Sequence, residues 1–188
     1  MDNILPLIRG LDVTPLLLEL KNNPQLWNTN TYRTRNPNSP HREVDDIWVR
    51  YNRLEVLENT PELLHAEHDS VWYPAIERLP SLRKLALDLM HHVKGERLGG
   101  ILITRIPPWK QVYPHDDRGS WHAAYYDKYA VQLESAPGQS FEFEEGGFAA
   151  APGDVYWFNN QVKHWVTNNS DFDRITAIIC IRTDKGVA

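Results

Sequence analysis

The chain has 188 residues, enough for a single domain, 1–188, with a full hydrophobic core. Apolar residues make up 41% and charged residues 24%; the net charge is −5 and Lys and Arg are scattered, so a nucleic-acid backbone is a disfavoured partner. One cysteine excludes a disulfide framework and a cysteine-based zinc site within one chain, and no apolar run reaches the ~20 residues of a membrane-spanning helix.

Met1–Gly10 mixes Asp2 and Arg9 with a short apolar patch and has no cleavage pattern, so no secretion signal is read there and a cytoplasmic location is expected. Thr14-Pro15 opens a helix carrying Leu16, Leu17, Leu18 and Leu20, with Thr14 as its expected cap and Pro15 at the first helical position. Asn22-Asn23-Pro24 stops it. Asn28 to Pro40 reads as an ordered polar loop, and Ile47 to Tyr51 alternates like a strand. Thr60-Pro61 opens a short helix. From Ser81 to Val93, Leu82, Leu85, Ala86, Leu89 and Val93 recur at helical spacing, and Lys94-Gly95 ends the run.

After Gly99 the texture becomes strand-like, at 101–103, 129–133, 141–143, 155–158 and 175–181, with Pro- and Gly-containing turns between. Short strands with regular turn signals predict an antiparallel sandwich or barrel. The expectation is therefore a mainly β fold with N-terminal helices (α+β). Residues 1–98 form a helical cover with a loop and a strand, and 99–184 form the β core. Cys180, inside Ile178-Ile179-Cys180-Ile181, reads as a buried small hydrophobe.

Two segments carry chemistry. In Tyr113-Pro114-His115-Asp116-Asp117, His115 and Asp117 are two apart and point to one side of an extended chain. A distant His164, brought over by the β fold, completes a two-histidine, one-carboxylate face of the kind found in non-haem Fe(II) oxygenases. The competing reading is a solvated His-x-Asp. Gly153-Asp154 turns into the apolar strand Val155-Tyr156-Trp157-Phe158, which runs toward His164. Arg174 opens the last strand, where a buried guanidinium suits a carboxylate and an ordinary strand-end arginine is the alternative. His65, His68, His91 and His92 fall on predicted helices and are read as structural or surface residues.

From about Gly99 to Arg182 the chain resembles the aspartyl/asparaginyl β-hydroxylase family of Fe(II)/2-oxoglutarate-dependent, cupin-like oxygenases. The resemblance rests on Thr104-Arg105-Ile106-Pro107-Pro108, Val112-Tyr113-Pro114-His115, Pro152-Gly153-Asp154, His164-Trp165-Val166-x-Asn168 and Arg174-Ile175-Thr176, with ten residues from histidine to arginine. It implies a double-stranded β-helix (jelly-roll) core. It implies a hydroxylase using Fe(II), 2-oxoglutarate and O2, with succinate and CO2 as by-products. His115 and His164 carry over as iron ligands, Arg174 as the partner of the far 2-oxoglutarate carboxylate, and Thr104 as a hydroxyl assisting it. Tyr129 falls where the vertebrate enzyme has a histidine contacting the co-substrate. That enzyme has glycine at the position of Asp117, so this chain carries the fuller triad of the wider superfamily. The expected substrate is a protein or peptide side chain; a free amino acid or small metabolite is the alternative, and a metal-free binding module the reading from another class. Arg33, Arg35, His41, Arg42, Trp48 and Arg50 lie in one polar, aromatic segment expected to border the active-site mouth.

Overall fold

The computed structural model describes residues 3–183, apart from the side chain of Leu57; the outermost positions of the expected span, 1–2 and 184–188, lie outside the described residues. Eleven strands are present among them: β1 (Ile4–Ile8), β2 (Asp45–Tyr51), β3 (Val71–Trp72), β4 (Gly95–Ile106), β5 (Gln111–His115), β6 (Asp127–Glu134), β7 (Gln139–Phe143), β8 (Gly146–Phe148), β9 (Val155–Phe158), β10 (His164–Asn168) and β11 (Arg174–Thr183). They form a seven-stranded sheet, β1-β9-β6-β11-β4-β2-β3, and a four-stranded sheet, β5-β10-β7-β8. Among the described residues every strand pairing is antiparallel. The result is the expected mainly β, double-stranded β-helix architecture.

The major sheet is buried on both faces, which explains why its strands read as apolar runs rather than alternations. On β11, Ile175, Ala177, Ile179 and Ile181 enter the core against the helices. Thr176, Ile178 and Cys180 point the other way, between the sheets. That core is completed by α1 (Thr14–Asn22), through Leu16 and Leu20, and α3 (Pro80–His92), through Leu82, Ala86 and Leu89. A second core between the sheets joins Ile106, Ala130 and Tyr156 to Phe141, Phe143 and Val166. Two shorter helices, α2 (Leu54–Asn59) and α4 (Trp121–Tyr125), lie outside these layers in sequence, in the connections after β2 and β5.

Several local expectations change. Thr14 is the first helical residue rather than the cap, and the Asp12 carboxylate accepts its N–H at 3.0 Å. Thr60-Pro61 opens only a 3-10 turn, Pro61–Leu63, so His65 and His68 lie in the loop beyond it and not on a helix. β1, β5 and β10 are strands that the pattern did not reveal. β1 contains Pro6, which is tolerated because β1 is an edge strand. Three strands from before residue 95 join the major sheet, so the N-terminal half supplies sheet as well as helices.

Candidate metal centre and active site

Strand register brings the histidines together. His115 ends β5, His164 begins β10, and the two are direct cross-strand partners with ring centroids 4.5 Å apart. Each donates its Nδ1–H to the backbone carbonyl two residues earlier, Tyr113 at 2.8 Å and Val162 at 2.9 Å, which leaves both Nε2 lone pairs free. Asp117 follows β5 and is fixed by its own N–H, which donates to the Asn160 carbonyl at 3.0 Å. Its Oδ1 lies 4.0 Å from His115 Nε2, and ligand atoms of His115, Asp117 and His164 all lie within 4.8 Å of one another. Two imidazoles and one carboxylate so grouped can hold one divalent transition metal and leave coordination positions open.

The protonation states suit that role. Burial lowers the His164 imidazole to about 4, helped by the neighbouring His115, and burial also lowers His115. Burial would raise the Asp117 carboxyl, but the Lys128 ammonium, 2.6 Å from Oδ2, outweighs it and holds the group at about 2. At neutral pH the trio is two neutral imidazoles and a carboxylate, the form that ligates. Lys128 was not anticipated. Its signal was a lone lysine at the start of an apolar strand, on the phase that faces the opposite sheet.

The trio lies in a cavity of about 710 Å³ that also contains Arg174, Thr104, Thr176, Tyr156 and Lys128. Arg174 is 4% exposed and donates to Thr176 Oγ1 at 2.7 Å and to Tyr156 OH at 3.3 Å. Among the described residues no carboxylate pairs with it. The other side-chain charges lining the cavity are matched: Arg33 with Asp46, Lys128 with Asp117 and Arg118 with Asp116. A buried guanidinium with only neutral partners is a costly arrangement unless an anion completes it.

The remaining sequence-predicted residues divide. Thr104 lines the cavity as the cross-strand partner of Thr176, but its hydroxyl donates to Asp46 at 2.9 Å and accepts from Arg33 at 2.8 Å. The expectation for Tyr129 is not met. It packs in the core against the helices, because side chains alternate along β6 and Lys128 takes the cavity phase. Arg33, His41 and Trp48 line the cavity, with the His41 ring 4.8 Å from that of His115. Three others do not line it. Arg35 is exposed, Arg42 stacks on Tyr113 with its guanidinium carbon 3.3 Å from the ring centre, and Arg50 donates to the Leu98 carbonyl beside Trp72. Arg33 itself is bound bidentately to the buried Asp46, at 2.5 and 2.7 Å, so it fastens the loop before β2 to the sheet. His122 and Tyr51, also unanticipated, close one end of the cavity.

No family model matches the sequence. No curated protein matches it either. Solved structures do resemble the fold. A 2OG-Fe(II) oxygenase family oxidoreductase from Burkholderia pseudomallei superposes with a TM-score of 0.61 at 14% identity, over 96% of this chain and 84% of that one. A Pseudomonas putida prolyl-4-hydroxylase gives 0.55 at 12% identity, over 96% and 92%. The viral collagen prolyl hydroxylase of Paramecium Bursaria Chlorella virus-1 gives 0.54 at 13%, over 97% of each chain. The chain shares their double-stranded β-helix fold.

Proposed function

We propose that this protein is an Fe(II)- and 2-oxoglutarate-dependent dioxygenase that hydroxylates a C–H bond, with His115, Asp117 and His164 holding the iron and Arg174 the far carboxylate of 2-oxoglutarate. The observation that carries this reading is the presence, in one cavity, of a two-histidine, one-carboxylate cluster and a buried arginine without an anionic partner. Either feature alone fits a binding module; the pair fits a metal and a dicarboxylate used together. When bound, Fe(II) and 2-oxoglutarate supply the oxidising chemistry, O2 activation coupled to decarboxylation.

The chain's own residues hold and shield. The backbone carbonyls of Tyr113 and Val162 fix the imidazole tautomers so that Nε2 faces the metal position. Lys128 keeps Asp117 ionised and occupies Oδ2, which leaves Oδ1 for the metal. Thr176 and Tyr156 hold the Arg174 guanidinium in place before the co-substrate arrives, so little ordering remains at binding. Phe141, Phe158, Val112 and Val166 wall the cavity and exclude water.

A protein or peptide side chain is the first substrate reading, in keeping with the prolyl hydroxylases that share the fold. A free small molecule is the second, favoured by the loop residues Tyr32 to His41, which wall one side of the cavity. Anaerobic titration with Fe(II) and then 2-oxoglutarate tests the site. A weak visible charge-transfer band is expected, together with one Mn(II) bound per chain in its absence. His115→Ala and His164→Ala should remove the metal. Arg174→Ala should leave it and weaken 2-oxoglutarate by about 30-fold or more, the equivalent of roughly 2–5 kcal/mol for unpairing a buried charge. Undiminished metal binding in the double histidine variant would overturn the assignment.

A further inference from the structure

His41 stands against the proposed metal triad and has no task in the reaction as described so far. It is carried by the loop before β2, and β5 holds that loop. The Tyr113 N–H donates to the Pro40 carbonyl at 2.8 Å, while the Tyr113 carbonyl accepts the His115 Nδ1–H at 2.8 Å. One residue of β5 therefore places the neighbour of His41 and fixes the tautomer of His115. On the other side of His41, the Arg42 guanidinium lies on the same Tyr113 ring, 3.3 Å from its centre. The His41 N–H donates to Ser39 Oγ at 3.1 Å, and its carbonyl accepts the Val44 N–H at 3.3 Å. The backbone is tied at both groups, so the imidazole is presented from a fixed point.

The ring points inward. It lines the cavity and meets the His115 ring at 4.8 Å, close to the 4.5 Å between the rings of His115 and His164. Burial first, and then the charges of Arg33, His115, Lys128 and His164, hold its pKa well below the ordinary value, so the ring lies in the field of the triad and not outside it. The group whose ligand atoms lie within 4.8 Å of one another is nevertheless His115, Asp117 and His164, without His41. A ring in contact with one ligand but outside that group is placed to reach what the metal binds rather than the metal itself. Both of its nitrogens are available: among the described residues neither makes a hydrogen bond, and neither is sealed from water. The ligand histidines differ, since each commits Nδ1 to a backbone carbonyl. Neighbouring polar groups are committed too, Arg33 to Asp46 and Thr104, Lys128 to Asp117 and Tyr51 to His65. A neutral imidazole without a partner can present its N–H on whichever nitrogen an incoming acceptor meets.

Resting on the reading of the triad as a metal centre, we propose that His41 is a further binding residue of that centre, donating a hydrogen bond to a small anionic ligand held in an open coordination position. A donor fixed there before the ligand arrives stabilises negative charge on it with little reorganisation.

Azide on the Co(II)-loaded chain is the probe, followed by visible absorption, with Co(II) affinity measured by calorimetry on the same samples. His41→Phe keeps a ring against His115 and removes the N–H. It should leave Co(II) affinity within about 3-fold and weaken azide by about 10-fold or more, the worth of a hydrogen bond to a charged group. His41→Gln returns a donor without the ring and should recover most of the azide binding, which a ring needed only for packing would not allow. Azide bound equally by the unaltered chain and His41→Phe overturns the proposal, and so does azide weakened alike in both variants. A loss of Co(II) affinity of about 10-fold or more in His41→Phe also overturns it, because His41 would then be a ligand. The two readings stay apart. An unaltered chain that takes up no Co(II) loses the metal centre, and this role of His41 with it. A chain that binds Co(II) in all three forms and azide equally in all three keeps the metal centre and loses the role of His41 alone.

Discussion

Lys128 governs how strongly protons compete for the metal position. Burial pulls Asp117 toward its neutral form and both imidazoles away from their charged form; the ammonium reinforces the ionised carboxylate and further disfavours imidazolium at His115 and His164. Removing it moves all three groups in one direction, upward. Lys128→Met should therefore shift the acid limb of Mn(II) binding to higher pH by about one unit, with affinity at pH 8 changed far less. Calorimetric titration at several pH values reads the shift, and an unmoved acid limb would show that the ammonium does not tune the site. His115 and Asp117 were legible because a two-residue spacing needs only local extension to bring them to one side. Lys128 was not, because its phase is set by pairing with Phe158 of β9 and Cys180 of β11, partners that only the assembled sheet supplies. The same blindness misplaced Tyr129, one residue on and therefore on the opposite face.

At the scale of elements, the connection from β10 to β11 delivers Arg174, and a polar knot holds it. The Asn168 amide donates to the carbonyls of Ile106, Pro107 and Phe172 at 2.9, 2.9 and 2.8 Å. Ser170 Oγ donates to Asn168 Oδ1 at 2.7 Å, and the Gln139 amide donates to Ser170 Oγ at 2.8 Å. Asn168 is 1% exposed, so truncation strands buried carbonyls that water cannot reach. Asn168→Ala should cost about 2–4 kcal/mol in urea denaturation and weaken 2-oxoglutarate more than Mn(II), since the knot lies at the Arg174 end. Equal loss of both ligands would mean that the variant loosens the whole sandwich. Helices α1 and α3 were readable from the 3.6-residue repeat of buried leucines, and β11 from its run of isoleucines. β5 and β10 escaped notice because Tyr113-Pro114-His115 and His164-Trp165-Val166-Thr167 carry their polar and bulky groups for the site rather than for a clean two-residue alternation.

For the whole molecule, the cost of this cavity appears as an acid sensitivity of the metal-free fold. Burial is the largest cause lowering His41, His115, His122 and His164, with His164 at about 4 and His122 at about 3. In the unfolded chain the same imidazoles titrate near 6.5. Their folded pKa values are depressed, so as pH falls through 6.5 the unfolded state takes up protons that the folded state refuses, and stability drops until the folded groups titrate as well. Above about pH 7 neither state is protonated at these groups and the dependence vanishes. His122 and His164, each 4% exposed, should together remove about 4 kcal/mol between pH 7 and pH 5, roughly 2 kcal/mol apiece. Against the 5–15 kcal/mol typical of a domain, that loss is large enough to appear directly in urea midpoints of the metal-free protein. His122→Phe should remove about 2 kcal/mol of the loss between those pH values whatever it does to the absolute midpoint, because one of the groups that titrate only in the unfolded state is gone. Stability that stays level from pH 7 to pH 5 would mean that the imidazoles are hydrated in the folded chain, and that the cavity is open to water rather than closed by Trp48, Tyr51 and the loop from Tyr32 to His41.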